Sequence, residues 1–209
     1  MLNLILVSII WAFSFGLIKG ELTQLPSELV ASIRLILCAV AFLPFILYFK
    51  RSHEPKLKLS LLGVVQFGLM YLLYIQSYQY LPGHLVAVFT LLTPLYVMLI
   101  NLYFSRKMTM HHFGAVLLSI AGAAIIVVKD TQDMAYLTGF LLLQLANIAF
   151  ACGQVIYKRW APSENHFRNM FWMYVGAAGF TSFITLMTIN VDLSIISPRQ
   201  MGVLTYLGI

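Results

Sequence analysis

The feature that most constrains this chain is the recurrence of apolar runs about as long as a lipid bilayer is thick. Seven such runs lie at about 2–19, 28–49, 58–80, 85–104, 110–129, 137–158 and 166–190. A hydrocarbon layer of ~30 Å is crossed by a helix of ~20 apolar residues. Inside it every backbone N–H and C=O must find a partner within the segment, which a helix provides. The runs therefore predict an all-α polytopic membrane protein. Composition agrees, with only 10% charged residues against about a quarter in a soluble domain. The first run has no basic leader and no small-residue cleavage site before further spans follow, so it is expected to be a retained helix.

The positive charge is segregated by connection, which excludes a nucleic-acid partner. The even-numbered connections hold Lys50, Arg51, Lys56, Lys58, Arg106, Lys107, Lys158, Arg159 and Arg168, nine in all. The odd-numbered ones hold Lys19, Lys129 and Arg199, three in all. Lys and Arg gather on the cytoplasmic side of membrane proteins, so the N-terminus is expected in the cytoplasm. Tyr78 and Tyr80 are then expected at the outer interface, with Tyr48, Tyr103 and Trp160 at the inner one. Cys38 and Cys152 fall inside apolar runs and read as small packing residues.

An internal repeat is visible between "IIWAFSFGLIKG" (9–20) and "IAFACGQVIYKR" (148–159). At an offset of 139, Trp11 meets Phe150, Ala12 meets Ala151 and Lys19 meets Lys158. Spans one and six would each open a five-helix unit, and an odd span count makes the two units face opposite ways. The expected units are residues 1–130 and an incomplete 137–209, because "GVLTYLGI" ends a few turns into an eighth apolar run. The expected complete chain has ten spans.

Three stretches carry a resemblance to the EamA-type transporters of the drug/metabolite transporter superfamily. "WAFSFGLIKGELTQLPSELVASIRLIL" resembles the family's opening, "GLMYLLYIQSYQYLPGHLVAVFTLLTPLYVML" its third and fourth helices, and "GFLLLQLANIAFACGQVIYKRW" the opening of its second repeat. Ser14 departs from the Asn that many members carry. The resemblance implies a multi-pass carrier of the bacterial inner membrane, built from inverted five-helix repeats. It further implies export of amino acids or related small metabolites by alternating access around a central polar cavity, with lipid as surroundings and no cofactor. Oligomeric state is left open.

Polar residues inside apolar runs mark the candidate cavity, because ionisable and amide groups at membrane depth face a bundle interior or water. Arg34 interrupts the second run. Three readings stand for it: snorkelling to the outer headgroups, pairing with a helix carbonyl or with Glu21 or Glu28, and contact with an anionic substrate. Gln144, Asn147, Ala151, Gln154 and Lys158 follow spacings of 3 and 4, one stripe of the sixth helix. Asn147 reads either as a helix–helix hydrogen bond or as cavity wall. Gln66, Met70, Tyr74 and Ser77 share a face of the third span. Tyr74 reads as core or as a stacking surface. Trp11 is mid-span and reads as packing or lining. Pro94 removes a helical hydrogen bond and frees the Thr90 carbonyl, making span four a candidate hinge. The cavity set is thus Trp11, Ser14, Arg34, Gln66, Tyr74, Thr90, Asn147 and Gln154. Gly114, Gly122, Gly176 and Gly179 read as close-packing positions.

Hydrolase and metalloprotease motifs are absent from the sequence, and His111-His112 has no third ligand near it, so neither enzyme nor metal site is expected. All seven acidic residues lie in connections or at span ends. A membrane-embedded proton relay is therefore not visible, so either a facilitator or exchanger is expected, or a relay in the helices expected beyond residue 209. A seven-helix receptor or scaffold is the alternative, although 170–190 lacks the deep Lys a retinal-type receptor needs.

Overall fold

In a computed structural model of the chain, the described residues are 2–48, 55–105, 114, 118, 121–122, 134–160, 166–189 and 195–208. They are helical throughout, with short connections. Helix α1 (Leu2–Leu17) runs into a π-helical segment, Ile18–Leu22, and α2 is Ser27–Tyr48. The third span is α3 (Lys56–Gly63), a π-helical segment Val64–Leu69, and α4 (Met70–Tyr80). The fourth is broken into α5 (Gly83–Thr90) and α6 (Thr93–Ser105). Helices α7 (Met134–Trp160), α8 (His166–Thr188) and α9 (Pro198–Gly208) follow. Five stretches are long and apolar enough to cross a membrane: Ser27–Ile46, Lys56–Tyr80, Gly83–Phe104, Met134–Trp160 and His166–Thr188. They match five expected spans to within a few residues. The fifth expected span, 110–129, and the His111-His112 pair lie almost wholly outside the described residues.

The distribution of side chains is that of a protein dissolved in lipid. Val40, Leu43, Phe183 and Leu186 are all more than half exposed on the outside of α2 and α8. Ser32, Arg34, Gln144, Asn147, Asn169 and Thr181 are buried. Without a hydrophobic drive between helices, association in lipid relies on close packing and interhelical hydrogen bonds. Both are present. Helices α2 and α8 form the central pair, joined by a Ser32–Ser182 hydroxyl bond of 2.9 Å and by Thr185 donating to the Glu28 carbonyl at 3.0 Å. Helix α8 also packs on α3, and α2 on α9.

The contact of α3 with α8 depends on two glycines. A Cβ on Gly63 would overlap the Met173 backbone, and one on Gly176 would overlap the Ser60 backbone. Gly176 is thus a close-packing position, as expected. Gly179 is not: no described atom lies within 4 Å of a Cβ there; Gly114 and Gly122 belong to a span almost wholly outside the described residues. Helix α9 opens with a capping box, in which the Ser197 N–H donates to Gln200 Oε1 (2.9 Å) and the Gln200 N–H to Ser197 Oγ (3.3 Å), with Pro198 at the first helical position. Cys38 and Cys152 are free and half-buried.

Two apolar clusters hold the bundle. One gathers Ile18, Leu22, Leu25, Tyr78, Leu81, Leu85, Phe89, Leu143 and Leu204. The other joins Leu35, Leu59, Leu62, Phe67, Tyr157 and Met173 between α2, α3, α7 and α8. The expected interfacial place of Tyr78 is corrected here. Its ring is fully buried in the first cluster, with its hydroxyl 2.8 Å from that of Tyr74. Tyr80, Tyr48, Tyr103 and Trp160 do keep exposed rings.

Candidate substrate cavity

A cavity of about 990 Å³ lies between α1, α2, the third and fourth spans, α7 and α8. Its position along the spans is regular. The first apolar cluster takes Ile18 and Leu22, Ile75 and Tyr78, Leu85 to Phe89, and Leu143. The lining begins beside it and runs the other way along the same spans: Ile18 back to Trp11, Tyr74 back to Phe67, Thr90 on to Leu102, and Ala146 on to Gln154. One end of the cavity is therefore plugged by packed side chains. Polar links tighten that end. Lys19 donates to the Tyr78 carbonyl (2.6 Å), Gln79 to the Thr23 carbonyl (3.0 Å) and Gln200 to the Glu21 carbonyl (3.0 Å). Arg199 pairs with Glu21 at 2.6 Å.

Of the residues singled out from sequence, Trp11, Ser14, Arg34, Tyr74, Thr90, Pro94, Asn147 and Gln154 all line the cavity. Gln66 does not; its side chain lies against Gly153 of α7, where an added Cβ would overlap it. Ser14 returns its hydroxyl to the Ile10 carbonyl of its own helix (2.8 Å). Trp11 and Gln154 are exposed on the cavity wall.

Arg34 is 6% exposed, so the snorkelling reading is set aside. Nη2 donates to the Tyr71 hydroxyl (3.3 Å) and to the Leu207 carbonyl of α9 (3.2 Å), and the guanidinium lies 4.7 Å from the centre of the Tyr71 ring. It is thus tied to a helix carbonyl, one of the partners expected, while standing in the cavity wall.

The break in span four follows from Pro94. Without a proline N–H the Thr90 carbonyl has no helical donor, and the Thr93 hydroxyl takes it instead at 2.7 Å. The chain tightens through Leu91 and Leu92, whose N–H groups donate three residues back, to Val88 (3.1 Å) and Phe89 (3.2 Å). Asn147 fastens this turn to α7. Its Nδ2 donates to the Phe89 carbonyl (3.0 Å), and its Oδ1 lies 3.2 Å from the Thr93 hydroxyl. Gln144 Oε1 accepts from Tyr96 (3.0 Å) and from Asn147 Nδ2 (3.3 Å). The two readings of Asn147 therefore coincide: it is an interhelical bond and a cavity wall at once. Sequence reasoning missed Tyr71, Thr93, Asn101, Phe150 and Tyr174 as lining. The i+3 and i+4 spacing of Tyr71, Tyr74 and Tyr78 was the available signal for the first.

With this geometry in view, the comparisons are direct. Residues 1–128 match the EamA-like transporter family. The chain belongs to that family. It is 34% identical to the biotin transporter of Escherichia coli (strain K12) over 213 residues, 99% of this chain and 70% of that one. A probable biotin transporter of Pseudomonas aeruginosa is 39% identical over 181 residues, covering 83% of this chain and 62% of the relative. A probable amino-acid metabolite efflux pump of Salmonella typhimurium is 28% identical over 159 residues, 74% of this chain and 52% of the pump. A solved crystal structure at 14% identity superposes with a TM-score of 0.69 over 96% of this chain and 70% of its own, which establishes a shared fold. This EamA-family chain is a multi-pass membrane transporter of a small molecule, not an enzyme, and the receptor or scaffold alternative is set aside.

Proposed function

We propose that the protein carries biotin or a closely related organic acid across the bacterial inner membrane by alternating access through this cavity. The observation that carries the reading is a largely apolar cavity at mid-bundle with Arg34, Asn147 and Gln154 in its wall, plugged at one end, inside a bundle with an apolar exterior. Biotin is favoured because two of its named transporters are 34% and 39% identical to this chain over most of its length. Amino-acid export is the second reading, supported by the efflux pump at 28% identity.

Rocking between two oppositely oriented units, 1–130 and 137–209, supplies the motion. The packing supports this pairing. A twofold relation between repeats exchanges span two with span seven and span three with span eight. It turns the α2–α9 contact into the α8–α3 contact and leaves α2–α8 on itself, and all three contacts occur. Trp11, Ser14, Arg34, Tyr74, Thr90, Asn147 and Gln154 are the proposed cavity wall, and Pro94 the bending point. The scarcity of membrane-embedded acids favours facilitated diffusion or exchange.

The test is counterflow of labelled biotin, and separately of labelled amino acids, in proteoliposomes with and without a pH gradient. Saturable biotin counterflow that ignores the gradient is the expected result. Amino-acid counterflow alone would select the second reading, and no exchange of either would overturn both.

A further inference from the structure

The guanidinium of Arg34 is only partly satisfied. An arginine has five N–H donors. The two on Nη2 face Tyr71 and Leu207; among the described residues the one on Nε and the two on Nη1 have no partner, although both nitrogens are buried. Among the described residues no ion pair involves Arg34. Among the described residues lining the cavity it is the only charged one. A buried charge without a counter-charge, carrying unused donors, is costly unless something else completes it.

We propose that Arg34 is the anchor for the carboxylate of the transported molecule, and that the substrate class is a monocarboxylic acid without a cationic group. The inference rests on the carrier reading above and narrows it. One carboxylate neutralises one guanidinium and accepts the donors that Nε and Nη1 hold unused. A dianion would leave a surplus negative charge in a wall that offers no second cation. A zwitterion would bring an ammonium, and no described lining side chain is anionic to receive it. The rest of the wall suits an apolar or aromatic body, with Trp11, Phe67, Phe150 and Tyr174 around it. Tyr71 lies over the guanidinium and also lines the cavity, and its movement is the step by which this proposal opens the guanidinium to the carboxylate. The empty carrier thus holds donors that the loaded carrier satisfies. This is the differential affinity between states that lets a substrate drive a conformational change.

The experiment compares three probes in proteoliposomes bearing the protein expressed from its complete gene: biotin, its primary amide, and the zwitterionic amino acid phenylalanine. In the wild-type protein the acid is expected to be favoured over the amide by roughly ten- to a hundredfold in apparent affinity, the range for a charge-assisted pair. Arg34→Gln should bring the acid down to the level of the amide, while Arg34→Lys retains part of the preference. Equal handling of acid and amide by the wild-type protein overturns the assignment, as does an acid preference that survives in Arg34→Gln. Should Arg34→Gln fail to fold, the wild-type comparison of acid and amide still decides. Preference for phenylalanine overturns the monocarboxylate class while leaving the carrier intact. Transport of none of the three removes the carrier reading and this assignment with it.

Discussion

Asn147 joins two functions in one side chain, because an amide donates and accepts at once. Its donor holds the Phe89 carbonyl and its acceptor meets the Thr93 hydroxyl, so the irregular turn of span four keeps a fixed place against α7. Interhelical hydrogen bonds in membranes average ~0.6 kcal/mol each, and Asn147→Leu removes two. The variant is expected to be destabilised by about 1–2 kcal/mol, read as a shift in reversible unfolding in mixed micelles; an unchanged midpoint would exclude the fastening role. Arg34 and Asn147 were legible in the sequence because a charge or an amide stands out in an apolar run. Tyr71 and Tyr78 were not. A tyrosine has an apolar ring and a polar tip, so the same letter suits an interface, a core or a cavity wall. Tyr78 belongs to the core only because the π-helical segment after α1 and the start of α5 close over it, a contact between distant parts of the chain.

At the level of elements, five of the expected spans were readable to within a few residues, since the length of an apolar run is set by bilayer thickness. The break in span four was readable from Pro94. What could not be read was which glycines face a neighbouring backbone. Gly63, Gly176 and Gly179 all sit in apolar helical sequence, yet only the first two meet another helix closely. The sequence period places a glycine on a face, while the partner of that face is decided by packing. The difference is measurable. Gly63→Ala and Gly176→Ala each force α3 away from α8 and are expected to cost about 1–3 kcal/mol, the usual range for overpacking. Gly179→Ala, with open space around it, should be neutral or slightly stabilising through its higher helix propensity. Thermal unfolding of the three purified variants provides the comparison, and equal behaviour of all three would refute the backbone contact.

For the whole molecule, the decisive feature is the asymmetry of the cavity along the bundle. The plugged end holds Ile18, Leu22, Tyr78, Leu85 and Leu143, and the lining extends from there to Asn101 and Gln154. Among the described residues, Lys56, Lys58, Lys158, Arg159 and Arg168 belong to the far end and Lys19 and Arg199 to the plugged end. From this distribution and the positive-inside tendency we propose that the plugged end faces out of the cell and the lining runs towards the cytoplasm. The links that close it are modest. The Arg199–Glu21 pair is largely exposed on the Arg side and contributes on the order of 1 kcal/mol or less. The plug is therefore held mainly by apolar packing. A single cysteine at Asn101, in a background with Cys38 and Cys152 replaced by Ser, reports the direction. A membrane-impermeant thiol reagent should modify it from the cytoplasmic face of inverted vesicles, more slowly when biotin is saturating, and leave it unmodified in right-side-out vesicles. A cysteine at Leu85, inside the plug, should resist the reagent from either side in the empty protein. Faster labelling of Asn101→Cys from outside would reverse the orientation of the bundle, and ready labelling of Leu85→Cys from outside would show that the packed end is not the closed one.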